Sequence, residues 1–376
     1  MSWLASERVT LEGFLPGLDK ALAGLSLAEL EQDGNSGLAM FKDAGGAGLL
    51  VPTEHGGLGA TALEAVRCTR AVGVRSPSLA VATTMHNFSV ASLVALARHS
   101  EGFEWMLLDA VARDRLLVAS AFAEGNTNQG ILAPTMTARP DEGNWLISGR
   151  KRPCSLSRSM NLITASVALV QPDGSQELGV ALIPADSPGI TVRPFWQSAV
   201  LTGAESDEVV LEDVTVSDEL IVRPQLDPGS NLDDLQTVGL VWFSLLVGAS
   251  YLGAASALAE RLLALGRGTP AGRAEILTEL EGAAMALEHV ASAVDAGQPG
   301  NDTLAKALIA RYTAQGAIRR AVDMSVEMLG GIAFITAPDV SYLAATCHAV
   351  QFHPPARHSI AASLDAHFAG EALRVQ

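Results

Sequence analysis

The sequence predicts an α+β protein built of three modules: a helical domain over residues 1–115, a middle β-barrel domain over 116–222 and a C-terminal four-helix bundle over 232–376. Two observations carry that expectation. The apolar pattern has helical spacing at both ends of the chain and switches to short β-branched or alternating runs between them. Of the 376 residues, 48% are hydrophobic and only 18% charged. Such a chain is not disordered and can bury a large core without disulfides or metals.

In chain order, residues 21–47 and 62–72 carry apolar residues at helical spacing. Residues 78–99 form an apolar helix, and residues 102–114 close the first module. Between the first two lies GLLVPTEHGGLGA (48–60), where Pro and Gly force a loop. From Leu116 onward, LLVASAFAE, NWLISGRK, NLITASVAL, LGVALIPA, ITVRPFW and DEVVLEDVTV read as strands separated by polar and Gly/Pro turns. Their spacing is that of an all-β barrel or sandwich. RPQLDPGSN (223–231) has the composition of a linker. Helices follow over 233–265, 274–296, 302–329 and 357–369. Leu304, Leu308, Tyr312, Ile318 and Val322 make one apolar stripe on the third of them.

Several function classes are disfavoured. Forty-one acidic against 25 basic residues give a formal charge of −16. Neither nucleic acid nor an acidic membrane surface is a fitting partner for such a chain, because both need cations to displace counterions. The three cysteines, Cys68, Cys154 and Cys347, are odd in number and widely spaced. They make no disulfide framework and no zinc set. His348, His353, His358 and His367 recur at nearly helical intervals, but Pro354 and Pro355 break the helix between them and no acidic or thiol ligands complete a site. No metal is expected. MSWLASERVTLEGF lacks a basic start followed by an apolar run. The most apolar stretch, residues 238–265, is interrupted by Ser, Gly, Glu and Arg and reads as a buried helix. A cytoplasmic protein is the simplest expectation. Low charge density and an Ala-rich bundle point to a homodimer or homotetramer.

Local motifs sharpen this reading. GLLVPTEHGGLGA, AFAEGNTNQG (121–130), NWLISGRK (144–151), DEVVLEDVTVSDELIV and EMLGGIAF (327–334) occur in this order on the expected element types. In order and spacing they resemble the acyl-CoA dehydrogenase superfamily over nearly the whole chain. The resemblance implies an N-terminal helical domain, a middle β domain and a C-terminal four-helix bundle. It further implies FAD between the last two, usually completed by a second subunit. Read from the residues alone, Gly56, Gly57 and Gly59 shape a turn, Lys151 is a solvated strand-end charge, and Gly330 and Gly331 mark a helix end.

Carried onto this sequence, the resemblance places flavin contacts at Phe122, Glu124 and Asn126. Pro153 stands where the family has a Trp against the flavin ring, followed by Ser155. Arg267 and Arg273 of GRGTPAGR lie near the family's pyrophosphate-gripping Arg-x-x-Phe-Gly, and Glu327 precedes Gly330 and Gly331 where a Gln is usual. These departures imply weakened FAD binding, or use of FMN or reduced FAD.

The family's catalytic Glu is missing. Its C-terminal counterpart is QFHPPARHS (351–359), with proline at the expected place, and the first bundle helix, VWFSLLVGASYLGAA (241–255), carries no acid. Abstracting a weakly acidic C–H requires a positioned base of suitable pKa. Two flavin-enzyme readings stand beside each other. The leading expectation is oxidation of an acyl thioester or similar small molecule with an atypical base, His353 or Glu124. The alternative follows a second branch of the fold, whose members take reduced flavin from a separate reductase and oxygenate small aromatic, sulfur or amine substrates. Some of them carry a His on an N-terminal helix, a Ser in the β domain and a His after the last bundle helix. Here those are His86, Ser155 (with Ser157 nearby) and His353. His86 on its apolar helix also reads as a packing residue, and Cys154 as a small buried one. A third reading is a non-catalytic subunit whose missing residues come from a homologous partner.

Overall fold

The first helices are short because their caps are close together. In the computed structural model, which describes residues 3–98, 104–124, 134–223, 234–298 and 300–375, the chain begins with α1 (Ala5–Phe14), α2 (Leu18–Ala23), α3 (Leu27–Glu31) and α4 (Gly37–Asp43). The single helical stretch expected over 21–47 is therefore broken. Gly24 stops α2, and Ser26 and Glu29 form a capping box that restarts the chain as α3. The loop over 48–60 leads into α5 (Ala62–Arg75), opened by the Thr61–Glu64 capping box. Next comes α6 (Pro77–Ala97), opened by Ser76 with Pro77 in the first turn. α7 (Glu104–Arg113) follows.

The strands are β1 (Val118–Ala121), β2 (Thr137–Asp141), β3 (Asn144–Cys154), β4 (Leu162–Val170), β5 (Gln176–Pro184), β6 (Ile190–Arg193), β7 (Asp207–Ser217) and β8 (Ile221–Val222). They form one sheet in the order β6-β7-β3-β2-β4-β5-β8, with β1 parallel to the start of β4. The NWLISGRK run makes the long β3, which pairs antiparallel with both β2 and β7. Among the described residues no ladder joins β6 to β8.

The C-terminal module contains α8 (Asp234–Ala264), α9 (Pro270–Asp295), α10 (Asn301–Thr336), α11 (Pro338–Cys347) and α12 (Ala361–Phe368). The fourth bundle helix is α11, which packs on α8 and α10. The stretch over 357–369, expected to fill that role, yields only the short α12. α11, for which the sequence reading names no element, starts with Pro338 in its first turn. Gly330, at φ 82° and ψ 165°, is non-helical and ends the helix that starts at Asn301, as the sequence leads one to expect; a second helical stretch follows it to Thr336. A residue with a Cβ rarely takes that conformation.

α6 and α8 are long and apolar enough to cross a membrane, yet 78% of the apolar window in each is buried inside the protein. They are core helices, apolar on all sides because neighbours cover all sides. α5 crosses α8 so closely that a Cβ on Gly73 would lie 2.5 Å from the Ser250 carbonyl oxygen, and one on Gly253 would lie 2.4 Å from that of Arg70. Polar ties fix the same crossing. The buried Arg70 guanidinium donates to Glu7 (2.6 Å), Glu281 (2.6 Å) and Ser256 (3.2 Å), joining α1, α5, α8 and α9. Glu31, also buried, accepts from the Ser76 and Ser78 hydroxyls (2.6 Å each) and from the Tyr342 hydroxyl (2.5 Å). Burial pushes its carboxyl above the ordinary range against the pull of these donors. The Tyr342 hydroxyl in turn accepts from the Leu201 amide at 2.8 Å. The N-terminal helices, the bundle and the loop before β7 thus meet as one body.

Candidate active site

Where the sheet faces α6 and α8, side chains of three modules enclose a cavity of about 340 Å³. The sheet supplies Ser120, Phe122, Pro153, Ser155, Thr164, Ser166 and, just before β7, Ser206. α6 supplies Met85, Phe88, Ser89 and Ser92. α8 supplies Gln236, Gly239, Leu240, Phe243 and Tyr251, and the segment after α11 supplies Phe352, His353 and Pro354. Both sides supply apolar wall and hydroxyls: Leu178, Val180 and Leu182 line it from the sheet, and Ser89 and Ser92 from α6.

His353 sits at the bundle end of this cavity. Its Nε2 lies 2.8 Å from the Tyr251 hydroxyl, and its ring meets the edges of Tyr251 and Phe243. The backbone that carries it is gripped from behind. The buried Arg311 guanidinium donates to the carbonyl of Pro354 at 2.9 Å and to that of Pro355, and the Tyr312 hydroxyl donates to Pro355 at 2.8 Å. Burial, together with the Arg311 charge, pushes the imidazole down to about 3. His353 is therefore neutral at working pH.

The sheet wall holds a row of hydroxyls. Ser155 and Ser206 share a hydrogen bond of 2.9 Å. Ser166 accepts from the Lys151 ammonium at 2.9 Å, and Thr164 donates to the Ala119 carbonyl at 3.2 Å. Lys151 is not the solvated strand-end charge its position suggests. It is fully buried and paired with Glu124, whose other oxygen accepts from Thr135. Glu124 is therefore no free base. It is the counter-ion of a lysine whose burial would otherwise be prohibitive.

The other sequence candidates separate. Phe122, Pro153 and Ser155 line the cavity. His86 does not: it is fully buried, its Nε2 donates to the Ala47 carbonyl at 2.9 Å and its Nδ1 accepts from the Val118 amide at 3.0 Å. Burial pushes it down to about 4. With both nitrogens committed to backbone, it joins α6 to β1 and has nothing to offer a substrate. Ser157 is likewise tied to the Glu205 carbonyl at 2.7 Å. The Cys154 thiol is buried and pushed up to about 12, which makes it inert packing. Arg267, Arg273, Glu327, Gly330 and Gly331 lie outside the lining. Arg273 folds back to donate to the carbonyls of Arg267 (3.1 Å) and Gly268 (2.7 Å). Asn126 is outside the described residues.

Sequence reasoning missed Tyr251, Ser166, Ser206 and Arg311. Tyr251 stands in the very helix scanned for an acid, and a lone polar ring in that apolar run was the available signal.

The middle of the chain, residues 119–214, matches the model of the acyl-CoA dehydrogenase middle domain. The isobutylamine N-hydroxylase of Streptomyces viridifaciens is 47% identical over 378 residues, covering 100% of both chains. The L-evernosamine nitrososynthase of a Micromonospora species is 26% identical over 364 residues, covering 89% of this chain and 82% of that one. Among solved structures, KijD3 in complex with FMN and a dTDP-linked amino sugar superposes with a TM-score of 0.85 at 21% identity, over 97% of this chain and 94% of that one.

These findings overturn the leading expectation of acyl-thioester oxidation. The full-length relative at 47% identity is an amine hydroxylase. The site agrees in physical terms: among the described residues no carboxylate lines the cavity. The two atypical bases considered are a histidine of depressed basicity and a glutamate held by a lysine, neither suited to removing a C–H proton.

Proposed function

The chain belongs to the acyl-CoA dehydrogenase superfamily, and we propose that it is a flavin-dependent monooxygenase that hydroxylates the nitrogen of a small amine. The observation that carries the reading is a cavity with no carboxylate among its described lining residues, closed by the neutral His353–Tyr251 pair, in a chain 47% identical along its whole length to an amine N-hydroxylase.

The residues fit a flavin ring. Phe122 and Pro153 offer a flat apolar surface beside the Ser155–Ser206 hydroxyl pair, while among the described lining residues no Arg or Lys is present to hold a phosphate. FMN and reduced FAD would both be compatible with the described lining. A reduced flavin there supplies two electrons to O₂, so that one oxygen atom passes to the amine nitrogen and the other leaves as water. The chain's own residues do the rest. Met85, Phe88, Leu240 and Phe243 exclude water, and the hydroxyls orient polar edges. The His353–Tyr251 pair keeps a fixed, uncharged hydrogen-bonding group at the bundle end. In this reading a separate reductase supplies the reduced flavin. In a homodimer or homotetramer, Arg267, Arg273, Glu327, Gly330 and Gly331 would be the residues this chain offers to the phosphates of a flavin held by a second copy.

Anaerobic calorimetry with reduced and oxidised FMN and FAD tests the reading. Reduced flavin is expected to bind at least about tenfold more tightly, a difference of about 1.4 kcal/mol. Tighter binding of oxidised flavin contradicts it.

A further inference from the structure

We infer that this cavity takes its amine as the neutral free base and excludes the ammonium ion. The inference rests on the amine-hydroxylase reading above. It follows from which charges surround the cavity and where each one points.

Among the described lining residues the titratable groups are His353 and Tyr251, and both are uncharged. Behind the sheet wall, Lys151 and Glu124 neutralise each other. Around Ser206, the carboxylates are already engaged. Glu205 accepts from the Ser159 amide and hydroxyl (2.9 and 2.8 Å), Asp207 accepts from the Phe195 amide (3.0 Å), and Glu208 pairs with Arg152 (3.1 Å). On the α6 side, His86 is neutral and sealed off by its two backbone partners. On the bundle side, Cys347 is a buried thiol pushed well above its ordinary value. Arg311 stands behind His353 with carbonyl and hydroxyl partners but no carboxylate among its hydrogen bonds. Glu31, behind Leu201, likewise spends its oxygens on the hydroxyls of Ser76, Ser78 and Tyr342, so among the described lining residues no carboxylate oxygen is left to meet a cation inside the cavity.

An ammonium ion entering such a site loses its hydration without gaining a counter-ion. A neutral amine fits the polar groups that are present. Ser89 and Ser92 spend their protons on the carbonyls of Met85 and Phe88, 2.9 Å away in each case. Their oxygens remain as acceptors for the two N–H groups of a primary amine. The nitrogen lone pair is then left unprotonated, and it is this pair that must form the N–O bond.

The test is anaerobic calorimetry of the enzyme with reduced flavin, titrated with isobutylamine in buffers of different ionisation enthalpy. Below the amine's own pKa, binding is expected to release about one proton per amine bound. In turnover, kcat/KM on total amine is expected to rise about tenfold per pH unit up to that pKa, and a fluorinated analogue of weaker basicity should move the break downward by the same amount. Ser92→Asp, which adds a counter-ion to the wall, is expected to abolish the proton release. Hydroxylamine formation without proton release, or a break fixed at one pH for all amines, overturns the inference alone. No hydroxylamine from any amine at any pH overturns the function on which it rests.

Discussion

Replacing His353 by alanine is expected to lower kcat for hydroxylamine formation by about 10²-fold, with a smaller change in KM. That is the scale on which losing one preorganised hydrogen-bonding group in a water-excluded site is felt. The group is preorganised at three levels. Arg311 and Tyr312 hold the Pro354 and Pro355 carbonyls, those prolines hold the His353 backbone, and Tyr251 holds the ring. Tyr251→Phe, which removes only the last of these, is expected to have a milder effect in the same direction. Because burial and Arg311 push His353 down to about 3, the wild-type kcat profile should show no break near the ordinary imidazole value of 6.5. A break there that disappears in His353→Ala would mean that His353 titrates during turnover and that its surroundings are not those described.

The second large effect concerns stability. Lys151→Met is expected to cost about 3–5 kcal/mol, because it leaves Glu124 buried with Thr135 as its remaining partner. In urea or guanidinium this appears as a lower midpoint with an unchanged slope. The double replacement Lys151→Met, Glu124→Gln removes both charges and should recover most of the loss. If the single replacement is as stable as the wild type, Lys151 is not the sealed ion-pair partner seen here. The pair also touches the site, since Lys151 donates to Ser166 in the cavity wall.

These two residues show what could be read in advance. The order of modules was legible because it depends on local periodicity: alternation in β3 and β4, helical spacing in α8 and α10. The capping boxes at Ser26 and Thr61 depend on residues three apart and are likewise local. Lys151 was misread because its burial depends on Glu124, 27 residues away in sequence. His353 was identified as a candidate, but its partner Tyr251 lies 102 residues away, and no spacing rule connects them. His86 reads in the sequence both as a catalytic candidate and as a packing residue, and only the second agrees with the structure. Whether a histidine on an apolar helix faces a cavity or the backbone of another element is decided by packing, here by Ala47 and Val118. α11 was missed because Pro338 opens it, and proline also marks loops. The acyl-thioester expectation came from weighting the fold over its missing base. The absence of an acid in residues 241–255 and 351–359 was the more informative observation.

The central claim is that the cavity oxygenates an amine nitrogen, and it is tested most directly by product mass. The enzyme, chemically or enzymatically reduced FMN or FAD, isobutylamine and ¹⁸O-labelled O₂ are mixed, and the amine product is analysed. The expected result is a hydroxylamine carrying one labelled oxygen atom, formed only when reduced flavin, O₂ and enzyme are all present. Contradiction would come from unchanged amine across a panel of small primary amines, together with bleaching of the oxidised flavoenzyme by an acyl-CoA.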